Sequence, residues 1–278
     1  MGSEPDAART VRPRAVIVTA SVGAGHDGAA RELGRRLERD GFRVETHDYL
    51  DILPRRLGTL LRSVYTRQLS TVPRTWGWVL AALELMPPLA WLAAAVAGLA
   101  GRARIQEILR QGAEPAVVVS TYPLASHLLG ELRRRRLLRA PVITYLTDFS
   151  VHRLWVCGGA DAHLALHPVA AGQALGHGAR TVIVCAPAVN PGFAPLAAAE
   201  RGRRRSGVRE AFGLPADAPL ALIVAGSLGV GELEESARDV VATGRAIPIV
   251  VTGHNAELAA RLDRIPGVLA LGWAHDMA

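Results

Sequence analysis

Short apolar runs rich in β-branched residues alternate along the chain with longer stretches of helical spacing. Ala15 to Ala20 reads AVIVTA and stops at a glycine-containing loop, Asp27 to Asp40 spaces its apolar residues as a helix does, and Phe42 to Thr46 is extended again. That succession predicts strand, loop, helix and strand, the βαβ unit of a parallel sheet. The rhythm returns at Ala116 to Ser120, Pro141 to Leu146, Ala162 to Leu166 and Thr181 to Val184, with a helical stretch from Leu124 to Leu138. Strands alternating with helices imply right-handed crossovers, so the expected fold class is α/β.

Glu200 to Gly207 reads ERGRRRSG, with no apolar side chain, and is expected to be a linker. Beyond it the alternation resumes: Leu220 to Ala225, a glycine loop, a helix from Glu232, a strand over Ile247 to Val251, a helix over Asn255 to Leu262, and a third strand within Gly267 to Leu271. The expected organisation is a polar, disordered tail over 1–13, an α/β domain over 14–199, the linker over 200–207, and the first part of a second α/β domain over 208–278. That second domain is expected to be incomplete, with about half the strands of a doubly wound sheet.

Arg55 to Gly101 interrupts the rhythm. Leu57, Leu60, Leu61, Val64 and Tyr65 share one helical face, with Arg55 and Arg62 opposite and Arg56 and Arg67 at its flanks, which predicts a basic amphipathic helix. Leu85 to Gly101 carries no charge but is broken by Pro87-Pro88, and it falls short of the ~20 apolar residues that span a bilayer. A buried or interfacial helix is the expectation.

Composition narrows the class. Half of the 278 residues are hydrophobic, enough for two cores. The formal charge of +7 comes from arginine alone, since the chain contains no lysine. Guanidinium suits phosphate, so a nucleotide diphosphate, an anionic lipid surface and nucleic acid are all admissible. The basic clusters lack interleaved aromatics, and no zinc-finger or RNP pattern occurs, which argues against nucleic acid. Arg133 to Arg136 reads as a solvated helix end. Cys157 and Cys185 have neither CxxC nor framework spacing, and the polar N-terminus has no signal-peptide core, so a reducing, cytoplasmic setting is expected. His163 and His167 lie four apart without a third ligand, and no metal is expected.

Three loops could carry chemistry. Ser21-Val22-Gly23-Ala24-Gly25-His26 joins a strand to a helix, where backbone N–H groups and the helix dipole favour an anion or developing negative charge. Gly23, Gly25 and Gly28 reproduce the dinucleotide spacing and Asp48 stands near the end of the second strand, so an oxidoreductase is one reading. His26 speaks against it: a ring there would crowd a pyrophosphate, whereas the dipole would keep it neutral and able to act as a base. Asp27 could oppose that shift or orient the ring, and a helix-capping His is the plain alternative. Thr147 to Trp155 (TDFSVHRLW) follows a strand and sets Asp148, His152 and Trp155 where parallel sheets bind ligands, a local Asp–His hydrogen bond with a core tryptophan being the alternative. Gly226-Ser227-Leu228-Gly229-Val230-Gly231 is a third strand-to-helix loop, fit for a diphosphate.

Taken in order, these pieces resemble the monogalactosyldiacylglycerol synthase and diacylglycerol glucosyltransferase family, which is similar to the lipid II glycosyltransferase. The others that match are Ala186-Pro187-Ala188-Val189-Asn190-Pro191-Gly192-Phe193, Thr252-Gly253-His254-Asn255, Gly272-Trp273 and Asp276-Met277. The resemblance implies a GT-B fold of two Rossmann-like domains, the first for the acceptor and the second for the nucleotide sugar. It implies that His26 deprotonates an acceptor hydroxyl, which attacks a UDP-hexose with inversion, without metal or cofactor. Asp148 would be a second catalytic residue, with Gly23, Gly25, His152 and Trp155 at the acceptor cleft. Gly226, Ser227, Gly229 and Gly231 would contact the donor diphosphate. Arg55, Arg56, Arg62, Arg67 and Trp91 would meet an anionic membrane surface at the inner face of the cell membrane, where diacylglycerol enters. The chain departs from the family at Ala24, Asp27 and Cys185-Ala186-Pro187, and the family's main UDP-sugar turn would follow Met277. A non-catalytic membrane-surface protein and an oxidoreductase are the competing readings.

Overall fold

The computed structural model describes residues 12–71, 86–224, 226, 229, 231–274 and 277. The chain divides into two compact units, the first built chiefly from Gly25–Leu61 and Leu80–Ala188 with β1 before them, the second from Val189–Ala278 together with Val22–Ala24 and the helical residues from Arg62 to Thr71.

The first unit holds six parallel strands: β1 (Arg14–Thr19), β2 (Arg43–Asp48), β3 (Pro115–Ser120), β4 (Val142–Tyr145), β5 (Ala162–Ala165) and β6 (Val182–Val184), in the order β2-β1-β3-β4-β5-β6. Every residue of β1 is buried, as the run of β-branched side chains demands of a strand covered on both faces. Helix α1 (Ala24–Arg39) lies on that sheet through its small residues: Ala29 and Ala30 are buried, and Gly34 approaches Ile17 and Val44. The remaining elements before Val189 are α2 (Tyr49–Ile52), α3 (Arg55–Thr71), which the division crosses after Leu61, α4 (Pro87–Arg110), α5 (Pro123–Arg134) and α6 (Pro168–Gly176). At the amino end of β1, the buried Arg14 guanidinium donates to Glu45, within β2, and to the carbonyls of Ile108, Leu109 and Ala113, which terminates α4.

The order of this sheet decides where a ligand can sit. From β1 the chain moves to β2 on one side and then returns to β3 on the other, so the switch point at which parallel sheets bind ligands lies beyond the carboxyl ends of β1 and β3. Both loops that follow those strands belong to the candidate site.

The second unit carries α7 (Ala198–Ala211), β7 (Leu220–Val224), α8 (Leu233–Thr243), β8 (Ile247–Val251), α9 (Ala256–Leu262) and β9 (Leu269–Leu271), with parallel strand order β7-β8-β9. Its core gathers Leu233, Ala237, Val250, Leu258, Leu262 and Ile265.

Three expectations need correction. Glu200–Gly207 is no linker: it lies inside α7, and the chain divides earlier, between Ala188 and Val189. Proline is absent from that run, Glu200 pairs with Arg204 one turn on at 3.1 Å, and Arg209 donates to the carbonyls of Pro215 and Ala218, so charge and glycine do not break the helix. Helix α1 begins at Ala24, ahead of the expected Asp27, which puts Gly25 and His26 inside its first turn. The helix over Leu124 to Leu138 ends at Arg134.

Candidate active site

His26 is half-buried in the first turn of α1, immediately after the turn that leaves β1. Its Nδ1 lies 2.8 Å from the backbone carbonyl of Thr121. A carbonyl oxygen only accepts, so Nδ1 carries the proton and Nε2 is left with the lone pair. Thr121 is fully buried at the end of β3: its N–H donates to the Val18 carbonyl at 3.1 Å and its hydroxyl to the His26 carbonyl at 3.4 Å. The tautomer is therefore fixed by a group that belongs to the sheet itself. Tyr122 meets the imidazole edge-on, with ring centroids 5.5 Å apart.

From β4 comes the second half of the site. The Thr147 hydroxyl oxygen lies 3.1 Å from His26 Nδ1 and donates to Asp148 Oδ1 at 3.3 Å. Asp148 Oδ2 accepts the Trp155 indole N–H at 2.8 Å. The loop carrying these residues is tied down along its length: Val151 N–H donates to Gln173 Oε1, its carbonyl pairs with His177 Nε2, and the Leu154 carbonyl pairs with His127 Nε2. His152 is half-buried with its ring 6.3 Å from that of Trp155.

Burial pushes the His26 imidazole below its ordinary value of 6.5; Asp148, the Thr121 carbonyl and Asp27 act in the opposite direction, and burial prevails. The result is a neutral ring near pH 7 with its basic nitrogen unencumbered by the tautomer lock. Asp27 accepts the Thr19 hydroxyl at 3.1 Å, so it is anchored toward β1.

The structure brings His26, Asp148, His152 and Trp155 together, as the motifs suggest, but it changes the part Trp155 plays. Its side chain is 0 % exposed, in a cluster with Leu146 and Val151, so it is not a wall against which an acceptor lies. His26 is not a simple cap either, because its ring reaches across to β3. Thr121 and Tyr122 were missed; the signal lay in two polar residues directly after an apolar strand. Asp48, which the oxidoreductase reading needs for a ribose, accepts from Leu50 N–H at 2.8 Å as the N-cap of α2 and lies 3.4 Å from Ser21 N. That carboxylate already serves the fold.

Gly23, Gly25 and Gly28 have no atom within 4 Å of where a Cβ would stand. In the second unit Gly226, Gly229 and Gly231 take positive φ of 65, 62 and 128°. Gly229 is buried under the turn after β8, where a Cβ would fall 2.5 Å from the Thr252 carbonyl, and its own carbonyl accepts from Asn255. Ser227, Leu228 and Val230 lie outside the described residues. His254 and Trp273 stack at 4.2 Å and 7° at the carboxyl ends of β8 and β9.

On α3, Arg55, Arg56 and Arg62 are exposed; the side chains of Arg67 and Trp91 lie outside the described set. Helix α4 presents Leu92, Val96 and Leu99 to solvent at i, i+4 and i+7. Among the described residues no helix is long and apolar enough to cross a membrane. His163 is buried and accepts from Cys157 N–H, while His167 caps α6 through Val169 N–H.

A family model for monogalactosyldiacylglycerol (MGDG) synthase matches residues 26–186, more than half of the chain. The chain belongs to the MGDG synthase family. Two processive diacylglycerol β-glucosyltransferases are similar to it: that of Bacillus mycoides is 27 % identical over 163 residues and that of Bacillus cereus 26 %. Each match takes in 57 % of this chain, and the chain spans 39 % of the length of these curated relatives. Among solved structures, HepE from Anabaena in complex with UDP-glucose aligns with a TM-score of 0.55 at 14 % identity, over 94 % of this chain and 69 % of that one. The two parallel-sheet units have the GT-B fold. The MGDG synthase match opens on His26 and runs past Trp155, so the whole hydrogen-bonded chain falls within it.

Proposed function

We propose that this chain carries the acceptor side of an inverting glycosyltransferase that moves a hexose from a UDP-sugar to diacylglycerol. The observation that carries the reading is the 2.8 Å contact from His26 Nδ1 to the Thr121 carbonyl, which leaves Nε2 as the base. Nε2 accepts the proton of the lipid hydroxyl as its oxygen bonds to the anomeric carbon; the bond from that carbon to the β-phosphate oxygen breaks, and UDP leaves with the electron pair. The imidazolium formed is stabilised by Asp148 through Thr147 and returns its proton to solvent. No group beyond donor and acceptor is needed for this balance.

Open space around Gly23 and Gly25 supports an acceptor approaching the first turn of α1. The turn Gly226 to Gly231, with Ser227, is proposed to face the donor diphosphate, in line with the UDP-sugar bound by HepE. Exposed Arg55, Arg56 and Arg62 on α3 and the Leu92, Val96 and Leu99 stripe on α4 support contact with an anionic membrane, and we place the protein at the cytoplasmic face of the cell membrane.

The test uses the product of the whole reading frame with UDP-glucose and UDP-galactose and vesicles of diacylglycerol in anionic phospholipid. A glycolipid is expected from one donor. Vesicle binding without glycolipid from either would leave a non-catalytic surface protein and overturn this reading.

A further inference from the structure

Trp155 is 0 % exposed, yet its indole N–H donates to the Asp148 carboxylate at 2.8 Å. We propose that Trp155 is a positioning residue: its buried indole N–H holds Asp148 against the Thr147 hydroxyl and beside His26, so that the carboxylate faces the base throughout the reaction.

The geometry carries this. Asp148 is exposed, and an exposed aspartate exchanges rotamers and solvates freely unless held. Here its two oxygens are taken by different donors from different places: Oδ2 by the indole at 2.8 Å and Oδ1 by Thr147 at 3.3 Å. Two bonds to two oxygens fix both torsions of the side chain. The indole is the rigid end of that arrangement. It has a single N–H, no exposed surface, and neighbours Leu146, Val151, Ala165 and Ala170 that hold its ring. Its backbone N–H donates to the His152 carbonyl at 2.9 Å, which closes the 3-10 turn Arg153–Trp155 and brings the ring back under Asp148. The His26 ring stands 5.9 Å from the indole, so base, carboxylate and anchor form one cluster. The groups facing His26 are Asp27 from α1, Thr121 and Tyr122 from the end of β3, and Thr147, Asp148 and Trp155 from the loop after β4. Of these only Asp148 is both charged and exposed, so it is the one that gains from an anchor.

This inference rests on His26 being the base, and its test is built to fail separately. Position 155 is replaced, in the 278-residue chain, by β-(3-benzothienyl)alanine, an isostere of tryptophan that has sulfur in place of N–H. The His26 ring is then titrated by NMR, with His26→Gln supplying the assignment. Asp148→Asn should lower the His26 pKa by about one pH unit through loss of an opposite charge. The isostere should move it the same way by a smaller amount, and the double replacement should move it no further than Asp148→Asn alone. Val151→Ala, in the same apolar cluster, should leave the titration where it is. If the isostere leaves His26 unmoved while Asp148→Asn shifts it, the indole anchors nothing and the proposal falls, with the His26 reading intact. If Asp148→Asn itself does nothing, the proposal falls as well. Loss of glycolipid synthesis in His26→Ala tests the underlying reading independently of either result.

Discussion

The turns after β1 and after β7 are written in nearly the same letters, strand then glycines then helix, and they use glycine for opposite reasons. In the first, Gly23 before α1 and Gly25 and Gly28 within its opening residues have ordinary backbone conformations and empty space where a side chain would be. Glycine there is not demanded by the backbone, and a side chain would meet open space. In the second, all three glycines take left-handed φ, and Gly229 is wedged beneath Thr252 and Asn255. Glycine there is required by the backbone itself. A spacing of glycines thus identifies a turn, whereas its purpose is decided by what surrounds each Cα.

The contrast can be broken or sharpened by substitution. The largest effect is expected at the proposed base: His26→Gln should lower kcat/KM for glycolipid synthesis by about 10³-fold, with little change in Tm. In the unsubstituted protein, the acid limb of kcat/KM should fall below pH 6.5, because on the proposed mechanism the neutral ring is the active form and burial lowers its pKa. A limb at or above 6.5 would mean that Asp148 and Asp27 outweigh burial. Next comes Gly229→Ala, which adds left-handed strain and a backbone clash and should destabilise the second unit by roughly 2–4 kcal/mol, read by urea unfolding. Smallest is Gly25→Ala, expected to stabilise by about 0.5 kcal/mol as a helical residue while reducing kcat/KM by intruding on the acceptor's space. Were Gly25→Ala as costly to stability as Gly229→Ala, the distinction between the turns would be wrong.

Much of the fold was legible in the chain because short β-branched runs between turn residues favour extended strands. β8 was read with its ends correct, and β1, β3 and β5 to within one residue at either end. The start of α1 was lost because Ala24 and Gly25 look like loop when glycine is scored as a breaker. Glu200–Gly207 was lost for a related reason: side-chain pairs such as Glu200–Arg204 supply what apolar periodicity does not. In the site, His26 and Asp148 announced themselves by chemistry, but the partner that locks His26 is a backbone carbonyl, which any residue could provide. Trp155 could be read either as cleft or as core, since an aromatic side chain looks the same in sequence in both; it is buried, with its indole N–H on Asp148.

The central strand has a consequence for how the protein is made. β1 pairs on one side with β2 and on the other with β3, where Val16 meets Val118. On the ribosome the first βαβ unit therefore emerges with its inner edge bare, and its completing strand follows roughly 70 residues later, about 3–14 s at ordinary rates of synthesis. Thr121 arrives with that strand, so His26 acquires its orientation at the moment the open edge of β1 is closed.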